Sequence, residues 1–171
     1  MIESRLKEIT LLILDVDGVL TPGNITYTGA ESESKTFHVK DGFGIRLLKD
    51  AGLMVGVITG RQSEALDRRA AELKLDFCYA GIGDKLPLLA TILEQTGCRT
   101  ENIAFMGDDL PDIAMMRKGG GGIAVAHAHD AVKAHADLIT CQTGGNGAVR
   151  EVCERILKAR GRWEEILQSW V

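Results

Sequence analysis

Apolar residues run almost unbroken through five stretches of the chain, at 11–16, 53–58, 76–80, 103–106 and 122–125. Such short, continuously apolar runs read as strands covered on both faces, the pattern of a parallel sheet between helices. The intervening segments repeat at helical spacing. Phe43, Leu47, Leu48 and Ala51 share one stripe, and Gly52 is placed to end that helix. Asp84 is expected to cap a helix running to Gly97, with Pro87 tolerated in its first turn. Asp108 or Asp109 is expected to cap another over 110–118, with Pro111 near its start. In GAVREVCERILKA, Val149, Val152, Cys153, Ile156 and Leu157 make one apolar face with charges opposite. Strands alternating with helices predict an α/β fold with a mainly parallel, Rossmann-like sheet flanked by helices.

Two segments interrupt the alternation. Residues 23–38, GNITYTGAESESKTFH, have β-rich ends around a polar middle and predict a small hairpin inserted after the first strand. The run KGGGG at 118–122 predicts a slack connection and a frayed fifth strand. With no internal repeat, linker or low-complexity tail, residues 1–171 are expected to form one domain, with a helical tail over 147–171. Hydrophobic residues at 45% and charged residues at 26% fit a soluble globular chain. A formal charge of −4 argues against nucleic acid as a partner, and ITLLIL at 9–14 is too short to span a membrane. Cys78, Cys98, Cys141 and Cys153 form no CxxC pair and are read as reduced thiols of a cytoplasmic protein. His127, His129 and His135 are read as surface residues rather than metal ligands.

The chemistry is expected at the carboxyl ends of the strands, where ligands collect on an open parallel sheet. Asp15 and Asp17 follow the first strand; Thr59, Gly60 and Arg61 follow the second. Lys85 is expected to open the helix after the third strand, and Asp108, Asp109 and Asp112 follow the fourth. Two carboxylates about 4 Å apart repel by roughly 4 kcal/mol at an effective dielectric near 20. A cluster of them needs a counterion or takes up protons, and an all-oxygen site with few protein ligands suits Mg²⁺. Carboxylates, a cation, a lysine and a hydroxyl on one rim fit phosphoryl transfer. Each residue alone also has an ordinary reading as a turn, cap or solvated charge.

DVDGVLT, ITGR, the Lys85 position and GDDLPD resemble, in order, the four motifs of the haloacid-dehalogenase-like phosphatases. The longer segments FHVKDGFGIRLLKDAG, ITGRQSEALDRRAAEL, MGDDLPD and TGGNGAVREVCERILKARGRW are similar to the 3-deoxy-D-manno-octulosonate 8-phosphate phosphatase family, over roughly residues 8–164. The resemblance implies a Mg²⁺-dependent phosphomonoesterase of lipopolysaccharide precursor synthesis. In it Asp15 attacks phosphorus to form an aspartyl-phosphate, and Asp17 is the acid and then the base. It implies that Asp15, the Asp17 backbone carbonyl and Asp108 hold Mg²⁺, and that Thr59 and the Gly60 N–H hold phosphoryl oxygens. Lys85 neutralises charge, and Asp109 or Asp112 orients it or metal-bound water. Arg61 and Arg69 are the expected contacts to a sugar-acid phosphate, and an arginine at 61 favours the eight-carbon acid over nine-carbon nonulosonates. Members of this branch lack a large cap; their hairpins assemble a homotetramer in which each subunit closes its neighbour's site. Pro22 stands where the family commonly has Asp, and Asn146 where it commonly has Arg. The rival readings are a nonulosonate 9-phosphate phosphatase and a non-catalytic, phosphatase-like oligomerisation module. Trp163 and Trp170 either pack on their own domain or reach a neighbour.

Overall fold

The computed structural model of the chain describes residues 2–29 and 32–171. Helix α1 (Ile2–Glu8) leads into strand β1 (Leu11–Leu14), and a hairpin follows, β2 (Thr26–Tyr27) paired with β3 (Glu33–Ser34). Next come α2 (Val39–Asp50), β4 (Met54–Ile58), α3 (Glu64–Leu73), β5 (Phe77–Tyr79) and α4 (Leu88–Thr96). The second half runs β6 (Ile103–Gly107), α5 (Ile113–Met116), β7 (Gly121–Ala124), α6 (Asp130–Ala134) and β8 (Leu138–Ile139). It closes with α7 (Ala148–Ala159) and α8 (Trp163–Gln168). Among the described residues six strands form one parallel sheet in the order β5-β4-β1-β6-β7-β8.

Strand β1 lies inside the sheet, with Leu11–Leu14 in register with Met54–Val57 on one side and Ile103–Met106 on the other. Its four residues are fully buried, which explains the unbroken apolar run: neither face meets water. Burying each such side chain contributes about 1.5–3 kcal/mol. The chain winds outward from β1 through β4 to β5, then returns to add β6, β7 and β8 on the other side. Right-handed crossovers therefore put α2 and α3 on one face and α4, α5 and α6 on the opposite face. The strand order reverses at β1 and β6, so a crevice opens at their carboxyl ends.

Three expectations need correction. The glycine run does not fray the fifth strand: β7 pairs with β6 over Gly121–Ala124 and with β8 at Ile123 and Ala124, and all four of its residues are buried. A Cβ at Gly122 would stand 2.8 Å from the Met116 carbonyl oxygen, and one at Gly120 would collide with the Glu101 carbonyl. Close backbone approach, not slackness, requires glycine there. The segment expected as a helix over 110–118 is instead a 3₁₀ turn, Leu110–Asp112, followed by the single-turn α5. Lys85 does not open α4, which starts at Leu88; it sits in the preceding turn, where Asp84 Oδ1 accepts from the Leu86 N–H at 3.2 Å.

The hairpin is present at β2 and β3, although Ala30 and Glu31 of the expected 23–38 insert lie outside the described residues. Helix α7 buries the apolar face expected of it, and Asp41 docks its start to α2. The Asp41 carboxylate, 1% exposed, accepts from the Gly147 N–H at 3.2 Å and the Arg150 N–H at 2.8 Å. Those donors have no partner within their own helix. Trp163 packs against the core, and Trp170, largely exposed, sets its ring edge-on to Phe43 with centroids 5.5 Å apart. Both tryptophans thus contact their own domain. No helix among the described residues is long and apolar enough to cross a membrane.

Candidate active site

The crevice is a cavity of about 510 Å³ whose walls include Asp15, Asp17, Thr59, Gly60, Arg61, Lys85, Asp108, Asp109 and Asp112. Main-chain bonds fix the loops that carry them. The Asp15 N–H donates to the Met106 carbonyl at 2.9 Å, the Thr59 N–H to Tyr79 at 2.9 Å, and Ile82 returns its N–H to Thr59 at 3.0 Å. Each ladder runs one residue past its strand, so the side chains that follow have little freedom.

At the centre, Lys85 Nζ donates to Asp15 Oδ1 at 2.5 Å and to Asp112 Oδ1 at 2.6 Å. All three residues are less than 10% exposed. Burial works against the lysine's charge, but Asp15 and Asp112 outweigh it and raise its pKa above the ordinary value. The other oxygen of Asp112 accepts from the N–H groups of Asp108 and Asp109, at 3.0 and 3.3 Å. With both oxygens engaged, Asp112 ties Lys85 to the loop after β6. Asp109 caps the 3₁₀ turn through the Leu110 N–H at 2.8 Å.

Carboxylate oxygens of Asp15, Asp108 and Asp112 lie within 4.8 Å of one another. The charge is poorly compensated. Burial, with the Asp112 charge adding to it, lifts Asp15 to about 6 despite the opposing pull of Lys85. Burial followed by the charges of Asp15, Asp112 and Asp109 lifts Asp108 to about 7. Hard oxygen donors gathered beside an open cavity fit Mg²⁺. Asp15 and Asp108 have oxygens to give it, whereas Asp112 is already occupied. Gly18 makes room for this arrangement: its φ is +95°, and a Cβ there would land on the Asp108 carboxylate.

Asp17 stands apart from the metal-capable cluster and belongs to a ring of four charges. Its Oδ1 accepts from Lys35 Nζ at 2.5 Å, and its Oδ2 is 3.8 Å from Arg61 Nε. Glu33 closes the ring, 3.1 Å from Lys35 Nζ and accepting from Arg61 Nη2 at 2.5 Å. That bond to Arg61, with help from Lys35 and against its desolvation, holds the Glu33 carboxyl below the usual range. Reading the sequence missed Glu33 and Lys35. Their spacing was the signal: residues two apart in an extended strand point the same way, so ESK in a hairpin arm aims both charges at one surface.

Thr59 is buried, and its Oγ1 takes only a long contact, 3.4 Å, from the Arg61 N–H. Arg69 does not line the cavity of its own chain. Its guanidinium lies 5.7 Å from the Phe37 ring centroid and donates to the His38 carbonyl at 3.5 Å and to Glu72 at 3.4 Å. His127, His129 and His135 each bond main-chain groups through Nδ1. The four cysteines are free.

These features have counterparts among known proteins. The family model for haloacid dehalogenase-like hydrolases matches residues 82–152, the stretch that carries Lys85, Asp108 and Asp112. The 3-deoxy-D-manno-octulosonate 8-phosphate phosphatase KdsC of Escherichia coli K12 is 42% identical over 162 residues, covering 95% of this chain and 86% of the relative. The phosphatase of the same name from Moraxella catarrhalis, in complex with a magnesium ion, a phosphate ion and a KDO molecule, superposes with a TM-score of 0.96 at 42% identity. That match spans 99% of this chain and 98% of the other. The cobalt-bound deoxy-D-mannose-octulosonate 8-phosphate phosphatase of Haemophilus influenzae gives 0.93 at 38% identity, over 97% and 98% of the two chains. Likeness over nearly the whole length, on a sheet whose rim gathers Asp15, Lys85, Asp108 and Asp112, places the chain in the 3-deoxy-D-manno-octulosonate 8-phosphate phosphatase family of haloacid dehalogenase-like hydrolases.

Proposed function

We propose that this chain hydrolyses 3-deoxy-D-manno-octulosonate 8-phosphate to the free sugar acid and phosphate, a step in lipopolysaccharide precursor synthesis. The observation that carries the reading is the buried Lys85 held between Asp15 and Asp112 beside an under-compensated Asp108. One carboxylate is thereby set up as a nucleophile, and the charge of a phosphoryl group has a fixed cation to meet.

Asp15 attacks phosphorus and becomes an aspartyl-phosphate; splitting one displacement into two lowers the barrier to each. Asp17 protonates the departing sugar oxygen and then takes a proton from water. Thr59 Oγ1 and the Gly60 N–H hold phosphoryl oxygens, and Lys85 balances charge on Asp15 and the phosphoryl group. Asp15, Asp108 and the backbone carbonyl of Asp17 would hold Mg²⁺, with Asp109 and Asp112 fixing the loop that carries Asp108. When bound, the ion supplies positive charge to the phosphoryl oxygens. Arg61, at the cavity wall, meets the sugar-acid carboxylate. Ile25 and Tyr27 of the hairpin are 45% and 74% exposed, which supports its packing on a second copy in a homotetramer that closes each site. Four free cysteines support a cytoplasmic enzyme.

The test is phosphate release from the eight-carbon ester and from a nine-carbon nonulosonate 9-phosphate, each with and without Mg²⁺. Metal-dependent turnover with higher kcat/KM on the eight-carbon ester is expected. Preference for the longer sugar would reassign the substrate, and no release under any condition would leave a non-catalytic module.

A further inference from the structure

Asp17 is gripped on one side only. Oδ1 accepts from Lys35 Nζ, whereas Oδ2 is buried without a hydrogen-bond partner and has Arg61 Nε 3.8 Å away. The lysine that holds it comes from an unexpected place. Thr26, Tyr27 and Ser34 of the hairpin strands are exposed, yet the Lys35 side chain, just past β3, is 2% exposed. Nothing in the two hairpin pairs, Thr26 with Ser34 and Tyr27 with Glu33, needs Lys35. Taking an ammonium out of water costs several kcal/mol unless it is well paired, and a solvated lysine is the ordinary outcome on a hairpin arm. Here the pairing is with Asp17 at 2.5 Å and Glu33 at 3.1 Å, and Glu33 is itself anchored by Arg61. The hairpin is thereby fastened to the reaction centre through Asp17.

We propose that Lys35 is a positioning residue for the reaction, fixing the Asp17 carboxylate that exchanges the proton, with Glu33 holding Lys35 in place. The inference rests on the phosphatase reading above and deepens it. In the first half-reaction the proton on Asp17 passes to the ester oxygen as the bond from phosphorus to that oxygen breaks, and the bonding pair stays on the departing oxygen. In the second, a water oxygen bonds to phosphorus while the Asp17 carboxylate takes the water's proton. The bond from phosphorus to Asp15 breaks, and its electron pair returns to the Asp15 carboxylate. Both transfers use one carboxylate in one place. A carboxylate free to turn is in that place only part of the time, and the bond to Lys35 removes the turn.

The leaving group separates this role from a merely structural one. A sugar alkoxide needs a proton to depart, whereas p-nitrophenolate does not. In full-length, Mg²⁺-saturated enzyme, Lys35→Met should lower kcat/KM for the sugar-acid phosphate by about 100-fold, against a loss of about threefold or less for p-nitrophenyl phosphate. Because kcat/KM reports steps up to leaving-group release, the second half-reaction does not blur the ratio. Lys35→Arg, which keeps a donor, should recover part of the lost ratio. Glu33→Gln, which leaves Lys35 in place, should shift the ratio the same way by less. Equal losses on the two esters, or no loss on either, overturn the proposal. Should Lys35→Met fail to fold, the ratio for Lys35→Arg and Glu33→Gln decides in the same way. Wild-type enzyme inert toward the sugar-acid phosphate would overturn the substrate assignment instead, and the ratio is then taken with any alkyl phosphate that it hydrolyses.

Discussion

Lys85 Nζ lies 2.6 Å from Asp112 Oδ1, and the opposite oxygen of Asp112 receives the N–H groups of Asp108 and Asp109. One buried carboxylate thus sets both the cation that faces Asp15 and the loop that presents Asp108. Removing it leaves Lys85 with Asp15 alone and two main-chain donors without their acceptor. Asp112→Ala should destabilise the fold by about 3 kcal/mol, the scale of losing the acceptor of buried donors. It should also reduce kcat by roughly 10–100-fold, as loss of a ligand-orienting partner does. Thermal unfolding and steady-state kinetics at saturating Mg²⁺ check both, and wild-type kcat in the variant would remove Asp112 from the positioning role.

Asp15 is nine-tenths enclosed and carries the proposed nucleophilic oxygen. Asp15→Asn leaves volume and packing nearly unchanged while abolishing nucleophilicity, so turnover should fall by more than about 10⁴-fold. Folding should not suffer, because the wild-type carboxylate is held at about 6 by burial and is an unfavourable charge in the metal-free protein. Circular dichroism melts beside phosphate-release assays test the pair of outcomes. Residual turnover within tenfold of wild type would point to another nucleophile.

The raised carboxylates also set a pH dependence. Asp15 and Asp108 go from the ordinary 3.8 to about 6 and about 7 in the fold, so each binds its proton more tightly folded than unfolded. Such a group favours folding at pH below its unfolded value, and that contribution is lost as pH rises through the folded value. Between about pH 4 and pH 7 the metal-free protein should therefore lose stability, at up to about 1.4 kcal/mol per pH unit for each proton. Mg²⁺ binds the ionised carboxylates, so its stabilising effect should grow over the same interval. Melting temperatures from pH 4 to 8, with a chelator or with millimolar Mg²⁺, make the comparison. A metal-free curve that rises with pH across this window would contradict the assigned shifts.

The inner strands were legible because burial on both faces leaves a run such as Leu11–Leu14 with no polar position, and the carboxylates that end such a run stand out. Strand β8 was missed because it is two residues long and half exposed, too little for any period to register. The GDDLPD turn was misread as a longer helix because Asp109 and Asp112 cap each other within a single 3₁₀ turn. A sequence shows capping residues but not how soon the helix they open will stop. Asp15, Lys85 and Asp108 converge as expected because each follows a strand of one parallel sheet. Lys35 and Glu33 escaped because their partners, Asp17 and Arg61, are distant in sequence and the hairpin reads as an ordinary polar surface. Arg69 shares a helix side with nothing in the cavity; it turns instead to Phe37 and His38, contacts that only the packing of α3 on α2 creates.

Gly18 offers a probe of the metal site that leaves every proposed side-chain ligand chemically unchanged. Its φ of +95° belongs to glycine, and a Cβ there would enter the space of the Asp108 carboxylate. Alanine at this position strains the backbone, at a cost of about 1–3 kcal/mol, and has to turn the Asp108 carboxylate aside. Because Asp108 hangs on a loop anchored by Asp112, turning the side chain is the easier response, and it moves an oxygen that the metal needs. Gly18→Ala should therefore raise the Mg²⁺ concentration for half-maximal activity by about 10-fold, the lower range seen when a ligand's support is lost. At saturating metal kcat should recover substantially, which distinguishes displaced coordination from a damaged nucleophile. Titrating activity against Mg²⁺, and following metal-induced stabilisation in the same variant, gives two readings of one displacement. A variant with wild-type metal dependence in both would mean that Asp108 does not contribute to holding the ion.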